Sequence, residues 1–361
     1  MPHRRAGWVL AWAMMGLLAL GVWQAVGAIS APAAWQRLRA DLGWGAFLSG
    51  RTTRTVNHIM AFDLPADAAL REAGGVLRWN LFGSAGAAVR PGCAGWLFLT
   101  EELRPWPGGD ADLAARAAGV LRVAARLRGL GVRLVVAVSP DKALVEAGRL
   151  CGAPYSAQSS GRLARFTGLL AAGGVAAVDL LTPLRAGDTY LRSDSHWTPE
   201  GAGLAARAIA AAVGDAGLAR TEGIRTGVGE PSPRAGDLLR LMSLEQAPAR
   251  LRPASDLVRM AETVVPAAEG GLLDDTPAVQ VVLLGSSFSV NGDFDGQLQQ
   301  ALGARVANFA KAGGGASGSA MAYFASPAWR ESRPRVVVWE ILGRGLTQPI
   351  DAAERAFLSG E

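Results

Sequence analysis

The chain of 361 residues carries 36 Lys+Arg against 31 Asp+Glu, a formal net charge of +5, with 50% hydrophobic residues and only two cysteines. A half-apolar composition with interspersed charge excludes a disordered or collagen-like chain, and two cysteines exclude a disulfide-scaffolded mini-protein or a four-cysteine zinc module. Nearly all the cationic charge is arginine, since Lys142 and Lys311 are the only lysines, and no block of five basic residues occurs, so no nucleic-acid partner is expected.

From Ala6 to Ile29 there is no ionisable side chain over 24 residues. That is enough to cross a hydrocarbon core needing about 20. Trp8, Trp12 and Trp23 lie towards the two ends of the run, where amphipathic rings favour the interface. Arg4 and Arg5 precede it, which keeps the short tail cytoplasmic and sends the remainder across, although Arg37 and Arg39 blunt the asymmetry. The competing reading is a signal peptide cleaved after Val26-Gly27-Ala28, whose apolar region would ordinarily run about 7–15 residues. A membrane anchor over 1–30 is the expectation, and either way the bulk of the chain is exported. Export permits a bridge between Cys93 and Cys151; two unpaired buried thiols are the alternative.

Residues 31–85 mix helical stretches with breakers (Pro32, Gly43, Gly45, Pro65, Gly74-Gly75) and read as a stem. Ala111–Gly129 has apolar residues at helical spacing, closed by Gly129 and Gly131. Short apolar strand patterns follow at Val132–Val138, Val175–Leu180, Val279–Leu284, Arg305–Phe309 and Val336–Ile341, with helical patterns between several, clearly at Gly201–Val213. Such an order predicts an α/β domain over 86–361 with a mainly parallel sheet covered on both faces. The Pro/Arg/Gly-rich stretch from about Leu218 to Pro253 is poorly periodic and is expected to form loops. No internal repeat is visible.

In open parallel sheets the working residues gather at the carboxyl ends of strands. Of the three histidines, His3 precedes the apolar run and His58 falls in the stem, leaving His196 as the neutral-pH base of the α/β domain. Asp194 lies two positions earlier; in an extended segment both would project to one face, so the carboxylate could fix the imidazole tautomer. Thr198-Pro199-Glu200 reads as a helix start. After Val279–Leu284 comes Gly285-Ser286-Ser287-Phe288-Ser289, where a serine could be activated by a base on a sharp strand-to-helix turn, with Gly285 allowing the bend. Taken alone, the D-x-H pair also fits a structural loop histidine and the G-S-S turn a helix cap. Gly313-Gly314-Gly315 could bring backbone N–H groups close to a ligand, but no G-K-[ST] follows, so nucleotide binding is not expected. No H-E-x-x-H, EF-hand or cysteine cluster appears, and neither a metal nor another cofactor is expected.

Together these segments resemble the AlgJ/AlgX-type polysaccharide O-acetyltransferases, an SGNH-hydrolase-like family. Asp194–Gly201 is similar to that family's D-x-H-W-[ST]-x-x-G, and Gly285–Ser289 to its G-[TS]-S-[FY]-S. Gly92–Leu99 resembles its G-x-D-G-W-L-F-L stretch, with Ala94 where an aspartate is common. Ser139-Pro140-Asp141-Lys142 matches its P-D-K strand end, and Val336–Glu340 its closing V-x-W-E strand. The five agree in order over roughly residues 86–345.

The resemblance implies a three-layer SGNH-like fold with Ser287 as nucleophile, His196 as general base and Asp194 as orienting acid. It further implies acetyl transfer through an acyl-serine onto an exported polysaccharide, a membrane-bound O-acyltransferase as donor, and an inner-membrane protein with its domain in the periplasm. The single anchor looks more like the AlgJ type than the larger AlgX type. Asn308, Lys311 and Gly314 are candidates for sugar or oxyanion contact. A carbohydrate acetylesterase and a non-catalytic subunit of an acetylation complex are the alternatives.

Overall fold

The computed structural model describes residues 2–266 and 279–360, which separate into two units, Met1–Leu81 and Phe82–Glu361. The first is helical throughout. Helix Pro2–Ser30 contains a segment, Leu10–Ser30, long and apolar enough to cross a membrane, with Trp12, Leu17 and Trp23 exposed along it. Helices Pro32–Ala40, Trp44–Leu48, Arg51–Phe62 and Asp67–Phe82 follow. Ala28, Ala34, Leu38 and Ile59 form a small core of their own, and the buried Gln24 side chain accepts the Ala66 N–H at 2.7 Å. Of the breakers, Pro32 sits at a helix start, where its missing N–H costs nothing, and Gly43 precedes helix Trp44–Leu48, which takes in Gly45. Gly74-Gly75, read as a break, lie instead inside Asp67–Phe82, because tolerated glycines weaken a helix without stopping it.

The second unit opens with a hairpin of β1 (Val89–Pro91) and β2 (Leu97–Leu99). The central sheet comprises β3 (Arg133–Ser139) and β4 (Ala177–Val178) together with three later strands. Before these comes a ribbon of β5 (Arg225–Arg234) and β6 (Asp256–Val264). The later sheet strands are β7 (Val281–Leu284), β8 (Val306–Asn308) and β9 (Val336–Leu342). Their order is β4-β3-β9-β7-β8, every pairing parallel.

Alternate residues of each strand face opposite layers, which makes these strands read as continuous apolar runs. Val135, Ala137, Val281, Leu283, Val336 and Val338 pack under helices Pro199–Val213 and Phe294–Leu302. Val136, Val138, Val282, Leu284, Val337 and Trp339 pack on the other face, with residues from helices Gly109–Gly129, Ala157–Ala172 and Gly318–Ala325. The unit is therefore a three-layer α/β/α sandwich, and all five strands end on one edge.

The expectation of loops from Leu218 to Pro253 is corrected by β5, which pairs antiparallel with β6 across a register shift between Val228 and Pro231. Nearly every β5 residue is exposed, so no buried face imposes a period-2 pattern, and Pro231 and Pro233 mimic loop composition.

Cys93 and Cys151 form a disulfide with Cα atoms 5.6 Å apart. It ties the turn between β1 and β2 to the segment before helix Ala157–Ala172. The bridge spans 58 residues of sequence, and restricting the unfolded chain over that span stabilises by about 4 kcal/mol in the chain-entropy description. Reduction, or Cys93→Ser with Cys151→Ser, should therefore lower the unfolding free energy by roughly 2–4 kcal/mol, read as the urea midpoint of the detergent-solubilised chain. An unchanged midpoint would remove this bridge from the stability of the fold.

Candidate active site

The strand edge presents two loops to each other. One follows β7: Gly285 and Ser286 lead into a single 3-10 turn, Ser287–Ser289. Beneath it stands Glu340, from the end of β9, 1% exposed. Its Oε2 accepts from the Ser286 N–H at 2.6 Å, the Ser286 hydroxyl at 2.8 Å and the Ser289 hydroxyl at 3.1 Å. A carboxylate that satisfies three buried donors fixes the turn more firmly than neutral acceptors would. Gly285 does not take the left-handed backbone that a sharp bend would require. What it supplies is the missing Cβ, which would sit 2.0 Å from Ser289 Oγ and 2.9 Å from Glu340 Oε2.

The other loop, Leu191–His196, lies between Tyr190 and Trp197, which form an isolated antiparallel bridge. Asp194 and His196 thus occupy a bent loop rather than an extended strand, and the carboxylate reaches the ring through the bend. Helix Pro199–Val213 follows, capped by Thr198, whose hydroxyl accepts the Gly201 N–H at 3.1 Å. The buried Lys142 ammonium, just past β3, donates to Leu97 O at 2.6 Å, Arg192 O at 2.9 Å and Asp194 O at 2.9 Å. Asp256, at the start of β6, accepts the Arg192 and Ser193 N–H groups, each at 2.8 Å.

These supports bring three side chains together. His196 Nε2 lies 2.8 Å from Ser287 Oγ, and His196 Nδ1 lies 2.7 Å from Asp194 Oδ1. Asp194 Oδ1 also accepts the His196 N–H at 3.0 Å, and its Oδ2 accepts the Asp237 N–H at 2.9 Å. Burial pushes the Asp194 carboxyl up. The hydrogen bond and charge of His196 outweigh it, with the Asp237 and His196 amides, and hold the group well below the usual carboxylate range. Phe288 sits between the loops, its ring 5.0 Å from that of His196 and 4.8 Å from that of Trp197. Around the Ser287 turn, the amides of Ser286, Phe288, Ser289 and Val290 all have acceptors. The Ser287 N–H has none among the described residues. A hydroxyl, an imidazole and a carboxylate in this relation, beside a free amide, can carry nucleophilic acyl transfer.

The remaining sequence candidates border the turn. The Asn308 side chain donates to Ser289 O at 3.0 Å and accepts the Ala310 N–H at 2.9 Å, so both its polar ends are engaged within the protein. The Lys311 N–H donates to Gly285 O at 3.0 Å while its side chain is exposed. Gly314 follows, its N–H on Lys311 O at 3.0 Å.

Sequence reasoning passed over Asp237, Asp256 and the roles of Lys142 and Glu340. The last two stand in motifs that were noticed, but only spatial proximity gives them partners. Asp194, His196 and Asp237 group closely enough to suit a cation. Their carboxylate oxygens, however, already accept from the Ser195, His196 and Asp237 amides, as a hydrogen-bond network does.

Comparison with known proteins gives a consistent picture. A family profile described as "SGNH hydrolase-like domain, acetyltransferase AlgX" matches residues 89–342. The chain is 33% identical over 284 residues to the probable alginate O-acetylase AlgJ of Pseudomonas putida, covering 76% of this chain and 74% of that protein. It is 31% identical over 297 residues to the AlgJ of Pseudomonas aeruginosa, covering 77% and 75%. The solved O-acetyltransferase domain of Pseudomonas putida AlgJ superposes with a TM-score of 0.66 at 30% identity, covering 76% of this chain and 99% of that domain.

Two outcomes test the geometry. Gly285→Ala forces a methyl group into Ser289 and Glu340 and should cost about 1–3 kcal/mol in the unfolding midpoint, with reactivity at Ser287 lost. Because the Asp194 carboxyl is depressed in the folded state, its contribution to stability is complete above the unfolded carboxylate range of about 4 and is lost as pH falls. Stability measured from pH 6 to pH 2 should therefore drop less steeply in Asp194→Asn than in the parent chain; parallel curves would contradict the depressed value.

Proposed function

The chain belongs to the SGNH hydrolase-like acetyltransferase family of AlgX and AlgJ, and from that premise we propose that it moves acetyl groups through Ser287 onto hydroxyls of an exported, alginate-like polysaccharide. The observation that carries the residue assignment is the pair of contacts to one imidazole, 2.8 Å to Ser287 Oγ and 2.7 Å to Asp194 Oδ1.

In the first half-reaction, Ser287 Oγ passes its proton to His196 Nε2 as it attacks the acetyl carbonyl of the donor. Asp194 holds the ring in the tautomer with a proton on Nδ1 and stabilises the imidazolium. The Ser287 N–H faces the developing oxyanion. Collapse of the tetrahedral intermediate releases the donor's leaving group, which takes the proton from His196, and leaves acetyl-Ser287. In the second half-reaction a sugar hydroxyl gives its proton to His196 and attacks the acetyl carbon. Ser287 Oγ departs and recovers the proton. Lys311 and Gly314, beside the turn, belong to the acceptor side; Asn308 supports the turn from beneath.

The anchor and the site suit one arrangement. Leu10–Ser30 crosses the inner membrane, the catalytic domain stands in the periplasm, and a membrane-bound O-acyltransferase supplies acetyl. Ser287→Ala should abolish the p-nitrophenol burst from p-nitrophenyl acetate and reduce turnover by about 10³-fold or more. An undiminished burst rejects Ser287 as nucleophile. With an oligosaccharide acceptor present, acetylated sugar is the expected product, whereas acetate alone would make the protein an esterase.

A further inference from the structure

Resting on the triad proposed above, we infer that Asp237 is a positioning residue for the transfer reaction, placing a second negative charge behind the imidazole and fixing the loop that carries it. Asp237 opens the short helix Asp237–Leu241, more than forty positions after His196 in the chain, and reaches the site from a separate element.

Three sets of contacts define its place. Its backbone N–H donates to Asp194 Oδ2 at 2.9 Å, on the side of the carboxylate away from the ring. Its own carboxylate accepts the Ser195 N–H at 2.7 Å and the Ser195 hydroxyl at 2.6 Å, between the two triad members of this loop. Its Oδ2 stands 3.8 Å from His196 Nδ1, beyond a hydrogen bond but close enough for charge to act. The preceding Gly236 packs its bare Cα directly on the loop backbone. A Cβ there would meet Ser193 O at 2.1 Å and Asp194 N at 2.6 Å. The Leu238 N–H donates to Ser193 O at 3.2 Å on the other side. The Gly236–Leu238 segment is therefore moulded to the peptide that bears Asp194, and Asp237 cannot be displaced without moving it.

The charged groups facing the imidazole can be followed element by element. Asp194 lies on its own loop and Asp237 on the short helix. Lys142, after β3, bonds the carbonyl of Asp194. Arg344, after β9, lies 5.9 Å from the centre of the Phe288 ring, which itself contacts His196. Two carboxylates thus face Nδ1 while the two cations lie a layer further out. When His196 takes the Ser287 proton, the cation that forms is stabilised by Asp237 as well as by Asp194. That gain exists only in the charged, reacting state, so it lowers the barrier without tightening substrate binding.

Asp237→Asn is the test, because an amide keeps the size and can accept from the Ser195 N–H while donating to its hydroxyl. With p-nitrophenyl acetate and the full chain in detergent, the acylation rate constant should fall about tenfold while KM changes less than twofold. The acid limb of the pH–rate profile should move to lower pH by about half to one unit. Ser195→Ala removes the hydroxyl contact and leaves the charge, and should leave the acid limb in place. An acid limb unmoved in Asp237→Asn, or moved equally in Ser195→Ala, overturns the role of the charge. If Asp237→Asn does not fold, Asp237→Glu decides, since it keeps the charge and must keep the acid limb; a displaced limb overturns the proposal. A burst that survives in Ser287→Ala instead rejects the triad itself, a different failure.

Discussion

The ammonium group of Lys142 is the contact on which the His196 side of the site depends. It is fully buried and surrounded by three carbonyl oxygens, Leu97 O, Arg192 O and Asp194 O. Burial pushes the group down, and the opposing pull of Glu102, Asp256, Asp194 and Asp237 restores it only in part, to about 8. A loop without ladder partners has backbone carbonyls that need donors. One lysine supplies three, drawing together the β2 strand and the two ends of the Arg192–Asp194 segment. Asp256 serves the amides of the same segment. The loop is short of regular structure, yet most of its backbone groups are bonded to these fixed partners, which holds the imidazole in place.

The Ser287 side uses a carboxyl group for the same purpose. Glu340 answers the amide and hydroxyl of Ser286 and the hydroxyl of Ser289 with a single oxygen, leaving Ser287 between them pointing at the histidine. Both charged anchors rise from the carboxyl ends of central strands, Lys142 after β3 and Glu340 on β9, neighbours in the sheet. The parallel sheet fixes their separation through its hydrogen-bond register, and the two loops inherit that precision. Further back, Arg162 pairs with Asp141 at 2.6 Å, and Arg344 reaches Glu101 at 2.8 Å. Burial raises Glu102 to about 7 against the pull of Arg344 and Arg162, so this edge of the sheet stands on buried ionisable side chains rather than on an apolar floor.

Aromatic packing joins the two halves. Phe288 follows Ser287 and Trp197 follows His196, and their rings meet edge to face at 4.8 Å. Trp197 also contacts Phe294 and donates its indole N–H to Asn291 O at 3.1 Å. The Asn291 amide in turn donates to Ser287 O at 2.7 Å. Each loop therefore buries the aromatic residue of the other's motif, and neither can shift alone.

Much of this was legible in the linear sequence. The apolar runs that became the central strands β3, β9 and β7 are continuous because both their faces are buried, and a two-sided burial writes itself into composition. His196 stood out by elimination among three histidines, and Thr198-Pro199 announced a helix start that the fold retains. The β5–β6 ribbon escaped notice because an exposed ribbon imposes no pattern. At Gly285 it is the missing Cβ and not the backbone angle that the turn requires. Tertiary structure alone decided the meeting of Asp237, Lys142, Asp256 and Glu340 with the two motif loops, and the joining of Cys93 to Cys151. Local propensity and periodicity are properties of neighbours along the chain, whereas a buried charge finds its partners only after the sheet has brought distant strand ends to one edge.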